Sequence, residues 1–390
     1  MSDEAVADPR ELYDRARSAC PVAHGDDGVW TLYSHADVHA AALDATTFSS
    51  ATSRHVHIPN SLDGAEHRRF RDLIDSYLTP ARVADLEPML ASTAQQVLDE
   101  TLVPAGMLDQ ARIPATESRQ VSVDAVQLGE RYAVRTACRW LGWPDDLENE
   151  LLDWMDANRQ ASRSGGRAAT GAVASWFDHI IGRQIRLRRD TSQGLTDDVT
   201  SELMANDSLG RPLTDAEITS ILRNWTGGDL SSLALCIGVV AAGLADHPEV
   251  QDELRRGVPT SRFDAVLDEM LRIDDPFVAN FRVTTAAVTM SGVELEPGAR
   301  VRLNWTAANR DPNTFGDPDV FDPHGNAQDN LVYGIGEHVC PGRTLATTEL
   351  RLFFTSLLAH TRQITPGTGA SRVRAEPPVG GYASVPLLVD

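Results

Sequence analysis

Apolar and polar positions recur with different spacings along the 390 residues, and the change of spacing divides the chain. The V-W-T-L-Y run at Val29–Tyr33 predicts a short strand, and Ser34–Leu43 follows as a helix. From Ala84 to Arg189, periodic Leu, Val, Ala and Ile predict mostly helix. That region is broken at Pro104, Pro114, Pro144 and the S-G-G-R stretch Ser164–Arg167, the last predicting a flexible connection between two helices. T-D-A-E at Thr214–Glu217 is a capping box. No proline follows between Asp215 and Pro248, so about 30 residues are predicted to form one helix, roughly 45 Å long and able to cross the molecule. Arg262–Ile273 reads as helix, Asp275–Phe281 as an extended segment leading into a strand at Arg282–Thr284, and Val301–Trp305 as strand. Thr344–Thr361 reads as helix and Gly380–Val389 as a terminal hairpin. The expected fold is mainly α with small β-sheets, a single domain over 1–390, β-rich mainly over 20–60 and 278–390 and helix-rich over 63–275.

Composition narrows the function classes. Apolar residues make up 42% of the chain, ordinary for a globular protein with a large core. The net charge of −21 argues against a nucleic-acid partner. All 35 basic residues are arginine. Cys20, Cys138, Cys236 and Cys340 lie far apart with no C-x-x-C, which points to a reducing compartment rather than a disulfide framework. The acidic N-terminus, M-S-D-E-A-V-A-D-P-R, lacks the basic and apolar regions of a signal peptide. The longest near-apolar run, Leu233–Ala245, is too short to span a bilayer. A cytoplasmic protein with no membrane partner is expected.

The chemistry concentrates in Tyr333–Gly342, Y-G-I-G-E-H-V-C-P-G. Gly334, Gly336 and Gly342 allow a tightly folded backbone that can approach a flat object. Backbone N–H groups curled around Cys340, and the start of a helix near Arg343, would favour its thiolate. This reads as a metal-binding thiolate with His338 placed to contact the rest of a cofactor. A glycine-rich turn carrying a buried cysteine is the alternative. Zinc fits less well, because no second ligand pair stands at zinc-like spacing.

The loop resembles the cysteine-ligand loop of the cytochrome P-450 family, F-G-x-G-x-x-x-C-x-G, with Tyr333 at the first position. Further landmarks follow the family's order. D-G-A-E-H-R-R-F-R at Asp63–Arg71 resembles a family segment whose His and Arg reach the haem propionates; Asp63 can cap the helix, and His67 and Arg71 share one face at i, i+4. Glu269 and Arg272 form E-x-x-R. The family's further arginine after F-D-P is missing from Phe321–Gly325, where His324 stands as a candidate replacement. R-N-W-T-G-G-D-L-S-S at Arg223–Ser232 resembles the oxygen-binding groove, closest to haem domains of self-sufficient members fused to their reductase. Leu230 occupies the place of the usual acid, Ser231 keeps the hydroxyl, and Asp229 supplies a carboxylate about 100° around the helix.

The resemblance implies buried haem b, iron protoporphyrin IX, with Cys340 as the iron's axial ligand. It implies that His67, Arg71, Arg282, His338, Gly334, Gly336 and Gly342 contact the haem. Ser231, Asp229 and Gly228 are implied as catalytic, with Thr226, Gly227, Phe277, Val278, Asn280 and Phe281 lining the substrate. The implied activity is insertion of one oxygen atom from O₂ into a small apolar or aromatic substrate, by hydroxylation or O-dealkylation. No reductase segment follows Asp390, so electrons are expected from a separate ferredoxin and ferredoxin reductase docking near Arg68, Arg69, Arg343 and Arg351. A peroxide-driven peroxygenase and a non-catalytic haem-binding protein are the alternatives.

Overall fold

The computed structural model describes residues 8–52, 57–102, 120–190 and 197–390. Among them the helices are α1 (Pro9–Ala19), α2 (His35–Leu43), α3 (Gly64–Asp75), α4 (Pro80–Leu102), α5 (Ala125–Leu141), α6 (Glu148–Ser164), α7 (Arg167–Asp190), α8 (Val199–Ala205), α9 (Asp215–Asp246), α10 (Pro248–Arg255), α11 (Thr260–Ile273), α12 (Trp305–Ala308), α13 (Pro312–Phe315) and α14 (Arg343–His360). The strands are β1 (Val22–His24), β2 (Trp30–Leu32), β3 (Phe48–Ser49), β4 (Val121–Asp124), β5 (Ala279–Thr284), β6 (Val288–Met290), β7 (Val293–Leu295), β8 (Arg300–Asn304), β9 (Ile364–Pro366), β10 (Val373–Arg374), β11 (Tyr382–Ser384) and β12 (Pro386–Val389). The mainly helical expectation holds. The expected breaks at Pro104 and Pro114 lie outside the described residues. The chain forms two compact units, one of residues 1–71, 265–341 and 374–381, the other of 72–264, 342–373 and 382–390.

The first unit is built on a five-stranded sheet of order β1-β2-β8-β5-β3. The pair β2–β8 is parallel; β1–β2, β8–β5 and β5–β3 are antiparallel. Val22, Leu32, Val301 and Leu303 come from its strands and bury against Val38 and Ala41 of α2, with Trp305 and Leu331 completing the core. Ser34 starts α2 by accepting from Asp37 N, which explains the sharp strand-to-helix switch after Tyr33.

The second unit is helical around α9. The capping box forms as predicted: Thr214 Oγ1 accepts from Glu217 N, and the Glu217 carboxylate accepts from Thr214 N at 2.7 Å. Glycines let α5 and α9 approach closely. A Cβ on Gly129 would lie 3.0 Å from Ala234 Cα, and one on Gly238 would lie 2.8 Å from Val126 Cγ2. By length and composition α9 could cross a membrane, but 67% of its apolar window is buried inside the protein, so it is a core helix. The break at Ser164–Arg167 is a helix end, with Gly165 left-handed at φ 60°.

The predicted terminal hairpin does not form. β12 lies between β4 and β9, antiparallel to both, so it is not paired back onto β11. Only Val385 separates β11 from β12, too few residues for a hairpin loop.

Candidate active site

In the first unit the cysteine loop is a tight turn fixed from several sides. Gly334 and Gly336 have φ of 68° and 78°, left-handed values that favour glycine. At Gly336 a Cβ would also press to 2.9 Å from Ala42 O of α2. Cys340 N donates to Tyr333 O at 2.9 Å, closing the loop and leaving the Cys340 side accessible. Along the chain, Gly342 then becomes the N-cap of α14.

The i, i+4 face of α3 meets this loop. Arg71 Nη1 donates to Glu337 O at 3.1 Å and to Val339 O at 2.6 Å, pinning the carbonyl immediately before Cys340. The buried His67 ring lies 4.3 Å from the His338 ring. His338 Nε2 is 3.0 Å from Ser50 Oγ and 3.5 Å from Asp63 Oδ1. Burial, with the charges of Arg282 and His67 beside it, pushes the His338 imidazole down to about 4, so it is neutral. Asp63 was expected to cap α3. Its carboxylate is instead spent on Ser49 Oγ at 2.5 Å and Ser50 N at 3.0 Å, tying the end of β3 to the start of α3.

Strand alternation sorts the next group. Asn280 and Arg282 share one face of β5, and Phe281 lies on the other. Phe281 sits beneath Arg300 and Arg302, whose guanidinium carbons are 5.4 and 5.2 Å from its ring centre. The structure therefore places Phe281 away from the Arg282 face, contrary to the expected grouping. Phe277 is half-buried and Val278 buried, in a segment fastened by Asp275 Oδ1, which accepts from Phe277 N, and by Val278 O, which accepts from Trp305 N. Asn280 is exposed, with Oδ1 accepting from Trp305 Nε1 at 2.7 Å.

In the same unit, Glu269 and Arg272 form a buried bidentate pair, 2.8 Å at each contact. Arg272 Nη1 also donates to Asn309 O. The missing third partner is not replaced by His324, which is exposed. Asn326 Nδ2 donates to Glu269 Oε1 at 2.7 Å, and Asp322 N donates to the same oxygen at 3.0 Å. Sequence reading missed Asn326 because an amide one residue past the expected place carries no motif signal.

In the second unit, α9 runs unbroken through the glycine pair. A Cβ on Gly227 would touch Phe177 at 4.0 Å, so that glycine faces α7; one on Gly228 would meet nothing within 4 Å. Thr226 is buried and its hydroxyl donates to Leu222 O at 2.7 Å, so it is not offered to a ligand as expected. Leu230 is fully buried. Ser231 is half-buried, and its hydroxyl has no hydrogen bond among the described residues.

Asp229 is raised to about 7 by burial. Glu349 of α14, missed by sequence reading, is buried nearby and raised by burial and by the charge of Asp229. Two such carboxyls cannot both ionise cheaply. Both the raised Asp229 and its ordinary value of 3.8 set the pH window. Because the folded-state value is the higher one, this group favours folding at low pH, and that contribution is lost as pH rises through about 7. Asp229→Asn in the intact protein is expected to gain melting temperature relative to wild type as pH rises through this window. A difference that does not change with pH would contradict it.

The family model described as Cytochrome P450 matches residues 168–376, more than half of the chain. The chain belongs to the cytochrome P450 family. Erythromycin C-12 hydroxylase from Saccharopolyspora erythraea is 27% identical over 98% of this chain and 96% of the relative. Cyclomarin C epoxidase CymV from Salinispora arenicola is 28% identical over 83% of this chain and 80% of the relative. The solved structure of a mutant of P450 EryK with erythromycin B superposes with a TM-score of 0.82 at 25% identity, covering 98% and 96% of the two chains. This P450 is therefore a monooxygenase-type oxidoreductase with haem as its cofactor.

The residues present fit that cofactor. Arg282 is buried, and burial pulls its guanidinium below its ordinary value. Its only hydrogen bond among the described residues is Nη1 to Phe281 O at 2.9 Å. A buried cation with no hydrogen-bonded carboxylate suits an anionic group such as a haem propionate. In this P450, Arg282→Leu is expected to release haem to apomyoglobin several-fold faster than wild type. An unchanged transfer rate would remove Arg282 from the haem contacts.

Proposed function

We propose that this P450 hydroxylates or O-dealkylates a small, mostly apolar or aromatic substrate in the cytoplasm, taking electrons from a separate ferredoxin and its reductase, and that residues 1–390 work as one haem-binding domain. The observation that carries this reading is the glycine turn that Cys340 closes through its N–H on Tyr333 O, with the preceding carbonyl pinned by Arg71. Haem held by the Cys340 thiolate supplies activation of O₂, the thiolate's electron density favouring O–O cleavage. Gly334, Gly336 and Gly342 let the loop backbone approach a flat macrocycle. His67, Arg71, Arg282 and His338 bind and orient its propionates, Arg71 and Arg282 by charge and the two imidazoles by hydrogen bonding.

On α9, Gly228 leaves room for water and Ser231 positions it with a free hydroxyl. Asp229, near half-protonation at neutral pH, holds and releases the proton that Leu230 cannot carry. Gly227 shapes the same stretch, and Thr226 supports it from within. Val278 and Phe277 supply apolar contact to the substrate.

Ferredoxin docking is supported by Arg68 and Arg69, both exposed on α3 of an otherwise acidic protein. Arg351 drops out of the expected docking set: it donates to Asp264 at 3.0 Å and Glu87 at 3.4 Å, which neutralise it locally. Electron transfer from a ferredoxin should slow as salt rises, and slow further with Arg69→Glu. The test is product formed per NAD(P)H with ferredoxin and reductase. Coupled turnover supports the reading, and turnover with peroxide alone overturns it.

A further inference from the structure

The Asn280 side chain is oriented by chemistry, not only by geometry. Trp305 Nε1 is a hydrogen-bond donor and never an acceptor, so the Asn280 atom 2.7 Å from it must be the amide oxygen. The Asn280 Nδ2 group is thereby turned the other way, and among the described residues it has no hydrogen-bond partner. Trp305 cannot yield easily. The residue is 5% exposed, and its backbone N–H is anchored on Val278 O at 2.9 Å.

The same strand fixes the direction of that donor. Asn280 and Arg282 lie two residues apart on β5 and share one face, whereas Phe281 turns to the arginines opposite. Across the ladder, Asn280 is paired with the fully buried Leu303 and Arg282 with the fully buried Val301. An amide with its acceptor occupied and its two N–H bonds presented thus stands beside Arg282 on a face whose cross-strand neighbours, Leu303 and Val301, are apolar.

Resting on the reading of this segment as substrate-facing, we propose that Asn280 is a specificity-determining residue. Its Nδ2 donates a hydrogen bond to an acceptor oxygen (a ketone, ether or ester) carried on an apolar substrate frame. A donor left unpaired beneath an apolar ligand loses its water and gains nothing, so the site discriminates against the bare hydrocarbon.

The test uses the ferric holoenzyme and three matched pairs: menthone with p-menthane, cyclododecanone with cyclododecane, and adamantanone with adamantane. Dissociation constants are read from the ligand-induced shift of the haem band. In wild type the ketone should bind about tenfold tighter than its hydrocarbon, the value of one modest hydrogen bond. Asn280→Leu should bring the ratio close to one without weakening the hydrocarbon. Asn280→Asp keeps an oxygen for Trp305 but removes the outward donor, and it should also lose the ketone preference. A change in packing alone would weaken both members of a pair and leave their ratio intact. Shifts with no ketone preference in wild type, or a preference retained in Asn280→Leu, overturn this inference alone. No shift with any of the compounds counts against the substrate-facing reading of the segment and against this inference together.

Discussion

Arg272→Leu is expected to cost about 3–5 kcal/mol of stability, a large part of what holds a typical domain folded. The reason is what remains behind. Glu269 would stay 2% exposed with its charge, keeping among the described residues only the donors Asn326 Nδ2 and Asp322 N. Arg272 is itself fully buried and also bonds Asn309 O, Pro318 O and Val320 O, so its loss strands several acceptors. Asn326→Ala removes a single hydrogen bond to Glu269 and should cost only about 1–3 kcal/mol. Denaturant unfolding of the variants, followed by far-ultraviolet circular dichroism, gives both values. Equal, small losses would mean that the pair is not a structural centre of its unit.

Cys340→Ala is expected to abolish oxygen insertion while leaving the fold intact. The loop is fastened through backbone groups, Cys340 N on Tyr333 O and Arg71 on Val339 O, so removing the sulfur should leave the protein chain folded. The other cysteines are poor substitutes. Burial pushes the Cys138 thiol up to about 12, Cys236 is buried within α9, and Cys20 Sγ lies 3.0 Å from Val22 O. Product formation under saturating electron supply should therefore fall to background in Cys340→Ala. Activity within a few-fold of wild type would show that the sulfur is not the axial ligand.

Features written in consecutive residues were legible in the sequence. The capping box of α9, the helix over 343–360 and the glycine turn before Cys340 each have local causes: a cap, a period, a positive φ. E-x-x-R was legible as a pair, but its partner Asn326 was not, because the contact joins residues 57 positions apart. Glu349 escaped for the same reason: its relation to Asp229 depends on α14 packing beside α9. Phe281 was grouped with its neighbours by the family resemblance of the segment, whereas strand alternation and two arginines on β8 place it on the face opposite Asn280 and Arg282. The terminal hairpin failed because pairing of β12 with β4 and β9 outcompeted a local turn.

The central claim is that the Cys340 thiolate holds the haem iron. Its most direct measurement is the absorption spectrum of the dithionite-reduced protein under carbon monoxide, recorded for wild type and for alanine variants of Cys20, Cys138, Cys236 and Cys340. The strongly red-shifted band of a thiolate-ligated haem should appear in wild type and in the first three variants, and vanish only in Cys340→Ala. A normal red-shifted band in Cys340→Ala, or its loss in Cys138→Ala or Cys236→Ala with Cys340 intact, would contradict the assignment.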